Sequence, residues 1–126
     1  MKPRPILLYF LILILGFSTM PALAAKKKAL PFILSSPAFK ESAAIPVEYT
    51  CNGANTSPLL KISGVPAGTK SLALIMDDPD AKQVVGKIWT HWLLWNLKPN
   101  TKEILAGSVP KGAIPGTTSF DSTGYG

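Results

Sequence analysis

The stretch "LALIMDDPDAKQVVGKIWTHWLLWNL", residues 72–97, decides the fold of this chain. Its first part is an apolar run that ends in aspartates, and its last part is largely apolar on both faces of an extended chain. Such runs are typical of β-strands, in which successive side chains point to opposite faces. We therefore predict strands near residues 70–77 and 88–97. The nine residues between them, 79–87, suit the loop of an antiparallel hairpin.

The second strand of this hairpin is predicted to be central and buried, because both of its faces are apolar. Strict alternation places one set of its side chains on a single face: Trp89, His91, Leu93, Trp95 and Leu97. The antiparallel return brings Trp89 and His91 to the end of the first strand, where Asp77 and Asp78 lie. We therefore expect a polar cluster at this edge of the sheet, with His91 in or beside the core.

The rest of the chain favours an all-β domain. Ten of its twelve prolines follow position 20, and their spacing interrupts most candidate helices. Two further apolar runs, residues 31–34 and 58–62, are bounded by turn-forming residues and are predicted as strands. The predicted fold is an antiparallel β-sandwich with Greek-key connections and few short helices. Because "GTTSFDSTGYG" ends the chain in a glycine-rich loop, we expect the domain to be incomplete at its C-terminus.

The N-terminus has the layout of a secretory signal. Basic residues precede an apolar run over residues 6–17, and small residues lead to a predicted cleavage point after Ala24. This run is shorter than the roughly 20 residues that span a bilayer, so membrane attachment is expected only if the segment stays uncleaved. We predict a signal peptide over 1–24, a basic linker over 25–31 and one domain over 32–126. The protein is accordingly expected to be periplasmic or secreted.

The charge pattern argues against a nucleic-acid partner. The formal net charge is +6, with 13 basic and 7 acidic residues. Two basic residues lie in the predicted signal peptide and three in the run Lys26–Lys28. Eight basic residues then remain against seven acidic ones, so the domain is nearly neutral. Arg4 is the sole arginine, and arginine is the usual side chain for reading bases.

The polar cluster has plain and functional interpretations. The sequence "DDPD" at 77–80 is typical of a turn, and a lone histidine on an apolar strand is often a core residue. Together they favour a site, because burying an imidazole beside a carboxylate requires specific hydrogen bonds. His91 beside Trp89 would then receive an anion, and the carboxylates would receive an ammonium group.

Other chemistries do not fit the sequence. His91 lacks a Gly-x-Ser-x-Gly elbow to present a hydrolase serine. One histidine and one cysteine cannot complete a tetrahedral zinc site, and the acidic cluster lacks the glycine and distal glutamate of a calcium loop. We therefore predict no metal ion, cofactor or catalytic residue.

Four motifs occur in a specific order along the chain. They are "NGANTSP" at 52–58, "GVPAGTKS" at 64–71, "DDPDA" at 77–81 and "WTHW" at 89–92. With these motifs, residues 32–126 resemble the phosphatidylethanolamine-binding protein family, in particular its bacterial Raf-kinase-inhibitor-like branch. The resemblance implies a β-sandwich with a pocket for phosphate-like anions and phospholipid head groups.

The same resemblance implies the residues of that pocket, namely Asp78, Pro79, Asp80, Trp89, His91 and Tyr125. His91 would donate to the phosphate, Asp78 would orient His91 or accept the ammonium group, and Trp89 would wall the pocket. Relatives continue past the Gly-Tyr-Gly motif into a proline-rich run, which agrees with an incomplete C-terminus. They often carry a cysteine there, a candidate partner for Cys51, the only cysteine of this chain.

The leading interpretation is an exported, non-catalytic protein that binds phosphate or a head group such as phosphorylethanolamine. The alternative is a regulatory protein that inhibits a kinase or protease by binding a phosphorylated or acidic segment. A weak hydrolase with Asp78 and His91 as general base is a third interpretation, which the lack of an evident nucleophile disfavours.

Overall fold

The structure is a computed structural model that describes residues 30–126. The predicted signal peptide, 1–24, and most of the basic linker lie outside the described residues. Within 30–126, no helix has both the length and the apolar character needed to cross a bilayer. The elements, in chain order, are β1 (Ile33–Ser35), a 3₁₀ turn (Val47–Tyr49), β2 (Leu60–Ser63), β3 (Leu72–Asp78), α1 (Lys82–Val85), β4 (Trp89–Leu97), β5 (Glu103–Ile104) and β6 (Ile114–Pro115).

The strands form two antiparallel sheets, with the orders β1–β2–β5 and β3–β4–β6. β3 and β4 make the hairpin predicted from the sequence, and β4 is the central strand of its sheet. A mainly β, antiparallel fold with few helices is thus confirmed. The sandwich packing and the Greek-key connections remain predictions.

All four predicted strands are present, with ends within two residues of the predicted ones. β5 and β6 were not predicted, because each has only two residues and so offers no periodicity to detect. β6 nevertheless matters for the site. It pairs with the C-terminal half of β4. The chain that follows β6 then lies beside the N-terminal half of β4.

The core combines side chains from both sheets. Leu74 of β3 lies directly opposite Leu94 of β4 in the hairpin register, and Leu94 has no exposed surface. Each such buried aliphatic side chain stabilises the fold by about 1.5–3 kcal/mol relative to exposure. The buried apolar cluster consists of Leu60, Ile62, Leu74, Trp92, Leu94, Leu97 and Ile104.

The strict alternation predicted for β4 fails near its C-terminal end. Leu94 and Leu97 are both buried, although they are three positions apart. Asn96 between them has a φ of 56°, a left-handed conformation that asparagine tolerates better than most residues. The hairpin register also shifts here, between Leu72 and Leu74. The prediction that Leu97 shares a face with Trp95 is therefore wrong: Leu97 is 2% exposed and Trp95 43%.

Candidate functional site

A cavity of about 430 Å³ lies where the end of β3 meets two loops. Its lining comes from residues 45–55, from the end of β3, from one side chain of β4 and from the segment 120–126. Four of the six predicted ligand-binding residues line it: Asp78, Pro79, His91 and Tyr125. The hairpin geometry expected from the sequence thus brings Asp78 and His91 to the same cavity.

The other two predicted residues are not in the lining. Trp89 packs edge-to-face against Phe120, with the two ring centroids 5.1 Å apart and the planes at 82°. Phe120 itself lines the cavity and lies 5.7 Å from the His91 ring. Trp89 therefore supports the wall through Phe120. Asp80 contributes its main-chain N–H, which donates to the Asp78 carboxylate.

Asp78 shapes the loop that leaves β3. One of its carboxylate oxygens, Oδ1, accepts hydrogen bonds from the N–H of Asp80 at 2.9 Å and of Ala81 at 3.3 Å. Aspartate is favoured at such turns because its short side chain reaches the N–H groups two and three residues ahead. The turn continues into α1, which is capped at its C-terminus by Gly86 with a left-handed φ of 79°. Asp78 thus fixes the loop that places Pro79 in the cavity wall.

Gly126, and not Asp78, is the hydrogen-bond partner of His91. The Nδ1 atom of His91 contacts the main-chain oxygen of Gly126. This oxygen only accepts, so Nδ1 is the protonated nitrogen of the ring. The main chain reinforces the link, because the N–H of Gly126 donates to the His91 carbonyl at 3.1 Å. Nε2 is the nitrogen that remains for a ligand, as an acceptor in the neutral ring and a donor in the imidazolium.

Tyr125 joins two loops that are far apart in the chain. Its hydroxyl donates to the Tyr49 carbonyl at 2.5 Å. Its ring packs edge-on against Trp92 with centroids 5.5 Å apart, and the two residues also form an isolated β-bridge. Burial raises the pKa of the Tyr125 hydroxyl, which favours its protonated, donating form. The segment 120–126 is in this way fastened to both β4 and the 3₁₀ turn.

The loop 45–55 forms a part of the wall that the sequence did not assign. Thr50, Cys51 and Asn55 line the cavity, and Cys51 is exposed and unpaired in the described part of the chain. Gly53 allows the loop to close on the 3₁₀ turn, since a Cβ there would lie 2.2 Å from the Val47 carbonyl oxygen. The available signal was the motif "NGANTSP", which carried the resemblance without a stated role.

In the described part of the chain, the acidic and imidazole side chains of the lining are Asp77, Asp78 and His91. Asp77 forms a hydrogen bond within the hairpin, because its Oδ1 accepts from the Thr90 hydroxyl at 2.6 Å. Among residues 30–126, neither lysine nor arginine lines the cavity. An anionic group would therefore depend on His91, while a cationic group would find Asp78 and the aromatic rings of Tyr125 and Phe120.

Comparisons with known proteins decide the family. Residues 35–126 match the family model described as "Phosphatidylethanolamine-binding protein". The chain belongs to the phosphatidylethanolamine-binding protein family. The resemblance drawn from the four sequence motifs is thereby confirmed. Members of this family bind lipids and phosphoryl ligands in general, and some inhibit kinases.

Relatives in this family come from distant organisms. A UPF0098 protein of Methanothermobacter thermautotrophicus is 42% identical over 97 residues, covering 73% of this chain and 62% of the relative. The Mycobacterium tuberculosis protein named "Putative lipoprotein LppC" is 39% identical over 108 residues, covering 86% of this chain and 50% of its own length. The crystal structure of Escherichia coli YbcL, described as a new member of the mammalian PEBP family, superposes with a TM-score of 0.69 at 33% identity and covers 75% of this chain and 64% of YbcL. The chain thus spans about half to two thirds of the length of these relatives.

Proposed function

We propose that this protein is an exported, non-catalytic binding protein whose cavity holds phosphate-like anions or phospholipid head groups. The observation that carries the proposal is the hydrogen bonding of the His91 ring. Gly126 engages its Nδ1, which leaves Nε2 for a ligand in the cavity that His91 lines. Nε2 of the neutral ring accepts a hydrogen bond from a P–OH group, and Nε2 of the imidazolium donates one to a phosphate oxygen.

A zwitterionic head group suits the lining better than a bare anion. Asp78 supplies a carboxylate whose Oδ1 already accepts two N–H groups, and a ligand ammonium would add a charged partner to it. Tyr125 and Phe120 supply aromatic faces, which attract cations. Phosphorylethanolamine carries both charges, so we expect it to bind more tightly than inorganic phosphate.

The proposed export rests on two observations. The sequence 1–24 has the basic, apolar and small-residue order of a signal peptide. The relative from Mycobacterium tuberculosis carries "lipoprotein" in its name. Cleavage after Ala24 would release a protein of the periplasm or the extracellular space, where lipid head groups are accessible.

A regulatory role is the second candidate. Some family members inhibit kinases, and a phosphoserine side chain presents to the cavity the same phosphoryl group as a lipid. Phe120 at the cavity wall is 49% exposed, so it could contact the chain on either side of a phosphoserine. A phosphoserine peptide that outcompetes phosphorylethanolamine at equal concentration would favour this candidate over the head-group binder.

Thermal unfolding tests the proposed cavity with a matched variant. A ligand at ten times its Kd stabilises the native state by about 1.4 kcal/mol, which raises Tm by about 5–10 °C for a domain of this size. We expect such a shift with about 10 mM phosphorylethanolamine, given a millimolar Kd. His91→Asn keeps a donor in the place of Nδ1 but removes Nε2, so the shift should vanish. An unchanged Tm of the natural protein at that concentration contradicts the proposal.

A further inference from the structure

The turn between β3 and β4 carries apolar side chains that no part of the described chain covers. Val84, Val85 and Ile88 are exposed by 87%, 50% and 51%. All residues of 82–88, hereafter the tip, are exposed, and α1 within the tip buries none of its side chains. Single exposed apolar residues are ordinary on protein surfaces, but three within five positions concentrate apolar surface on one short turn, which indicates an interaction site.

The geometry of the turn does not require these side chains. The Asp78 carboxylate starts the turn by accepting two N–H groups, and Gly86 ends it in the left-handed region. Valine is a weak helix former, because its branched Cβ restricts its rotamers. At 87% exposure, Val84 gains almost nothing from burial. Polar residues would serve the turn equally well or better.

The tip also carries positive charge next to its apolar side chains. Lys82 and Lys87 lie at its two ends, and 82–88 contains no acidic residue. The Lys87 ammonium lies 5.0 Å from the centroid of the Trp89 ring. This cation–π contact holds the ammonium at the base of the tip. A segment that combines lysines with exposed aliphatic groups is complementary to a surface of anionic lipids.

Three aspartates precede the tip and oppose this attraction. Asp77 and Asp78 each accept a hydrogen bond within the hairpin, from the Thr90 hydroxyl and from main-chain N–H groups. Asp80 is exposed at the start of the turn. These carboxylates lie at the end of β3 or just beyond it, whereas both lysines are on the segment that bears the exposed aliphatic groups. The tip itself is therefore cationic and apolar.

We propose that the tip inserts into the surface of a bilayer that contains anionic lipids. Val84, Val85 and Ile88 enter the boundary between head groups and acyl chains, and the two lysines stay at the level of the phosphates. The tip begins three residues after Pro79, a lining residue of the cavity, which is at most about 11 Å of chain. Insertion thus holds the cavity near lipid head groups. The tip and the cavity are separate surfaces, so each can bind without the other.

A fluorescent probe at the tip tests the insertion. Cys51 is the only cysteine, so Cys51→Ser provides a background in which Val84→Cys carries a nitrobenzoxadiazole label. Vesicles of phosphatidylcholine with about 30 mol% phosphatidylglycerol should raise the emission roughly twofold or more and shift it to the blue, as the label leaves water. Val109→Cys in the same background is the control, since Val109 is 46% exposed but distant from the tip in sequence. Its label should not respond.

Charge variants and salt sharpen the result. Raising NaCl to about 0.5 M should weaken the response at position 84, because salt screens exposed charges. Lys82→Gln with Lys87→Gln should weaken it likewise, while Lys98→Gln with Lys111→Gln should leave it unchanged.

Three outcomes overturn the proposal. In the first, vesicles leave the emission of the label at position 84 unchanged, and in the second they change the label at position 109 equally. In the third outcome, the label at position 84 responds to another protein but not to vesicles. Adding His91→Asn separates insertion of the tip from ligand binding in the cavity. If the tip inserts, its signal persists in that variant even though the ligand shift of the cavity is lost. If the cavity binds but the tip does not insert, phosphorylethanolamine still raises the Tm of the natural protein, while the label at position 84 does not respond to vesicles.

Discussion

The cavity has two sides that are stabilised in different ways. On one side, β3 and β4 pair over most of their length and bury Leu74 and Leu94 against each other. On the other side, the segment 120–126 and the loop 45–55 have few regular contacts and depend on individual hydrogen bonds, such as that from Tyr125 to Tyr49. Apolar burial therefore holds the first side, and single polar contacts hold the second. Changes on the first side should lower global stability, and changes on the second should loosen the cavity.

The largest expected effect is on the hairpin side. Leu94→Ala removes a side chain with no exposed surface and leaves a cavity in the core, so we expect a loss of about 2–5 kcal/mol in the free energy of unfolding. Ile114→Ala in the neighbouring strand is the control, since Ile114 is 57% exposed. Urea unfolding measures both. Equal losses for the two variants would show that β4 is not the centre of the core.

The next effect tests the junction between the two sides. Asp78→Ala leaves the N–H groups of Asp80 and Ala81 without their acceptor, so we expect a loss of about 1–2 kcal/mol. Asp78→Asn keeps an acceptor oxygen and should lose less than half as much. The response of Asp78→Asn to ligands is a further test. If phosphorylethanolamine raises its Tm less than that of the natural protein, while inorganic phosphate still binds, Asp78 is the partner of the ammonium group. Equal destabilisation by both substitutions would contradict the role given to the carboxylate oxygen.

The smallest effect is on the loop side. Tyr125→Phe removes the hydrogen bond to Tyr49 and should cost about 1 kcal/mol. Burial raises the pKa of the Tyr125 hydroxyl in the native state, so its contribution is present below about pH 10 and is lost as the pH rises toward the raised value. The stability gap between the natural protein and Tyr125→Phe should therefore narrow above pH 10.

Tyr49→Phe is the matched control for this experiment. It keeps the Tyr49 carbonyl that accepts from Tyr125 and removes only its own hydroxyl, whose pKa is raised first by a hydrogen bond with Glu48. The gap between Tyr49→Phe and the natural protein should be smaller at pH 7 than that for Tyr125→Phe. A gap for Tyr125→Phe that widens above pH 10 would contradict the assignment of its hydroxyl as a donor.

The contrast between the hairpin side and the loop side also explains which features could be predicted from the sequence. The hairpin was predictable because apolar periodicity over 70–97 reports burial directly, and it placed Asp78 and His91 at one edge. Its one failure, at Leu97, came from the left-handed conformation of Asn96, which breaks the period of two. The alternation of apolar and polar residues in a sequence does not reveal a single irregular backbone conformation within a strand.

The loop side was not predictable from local patterns. Tyr125 and Tyr49 are 76 positions apart, and no periodicity links two irregular segments. Phe120 lines the cavity in place of Trp89 because the segment after β6 lies along the N-terminal half of β4, where Ser119 N–H donates to Thr90. Only the resemblance to a family pointed to Tyr125, and it did not reveal which atoms Tyr125 contacts.

The central claim is that the imidazole of His91 meets a phosphoryl ligand through Nε2 while Gly126 holds Nδ1. The chain has a single histidine, so a nitrogen-15 spectrum of its imidazole reports on this site alone. We predict a proton on Nδ1 at neutral pH and a change in the Nε2 resonance as phosphorylethanolamine is added at millimolar concentration. A free protein in which Nε2 carries the proton and Nδ1 carries none, or an Nε2 resonance that stays constant throughout the titration, would contradict the account.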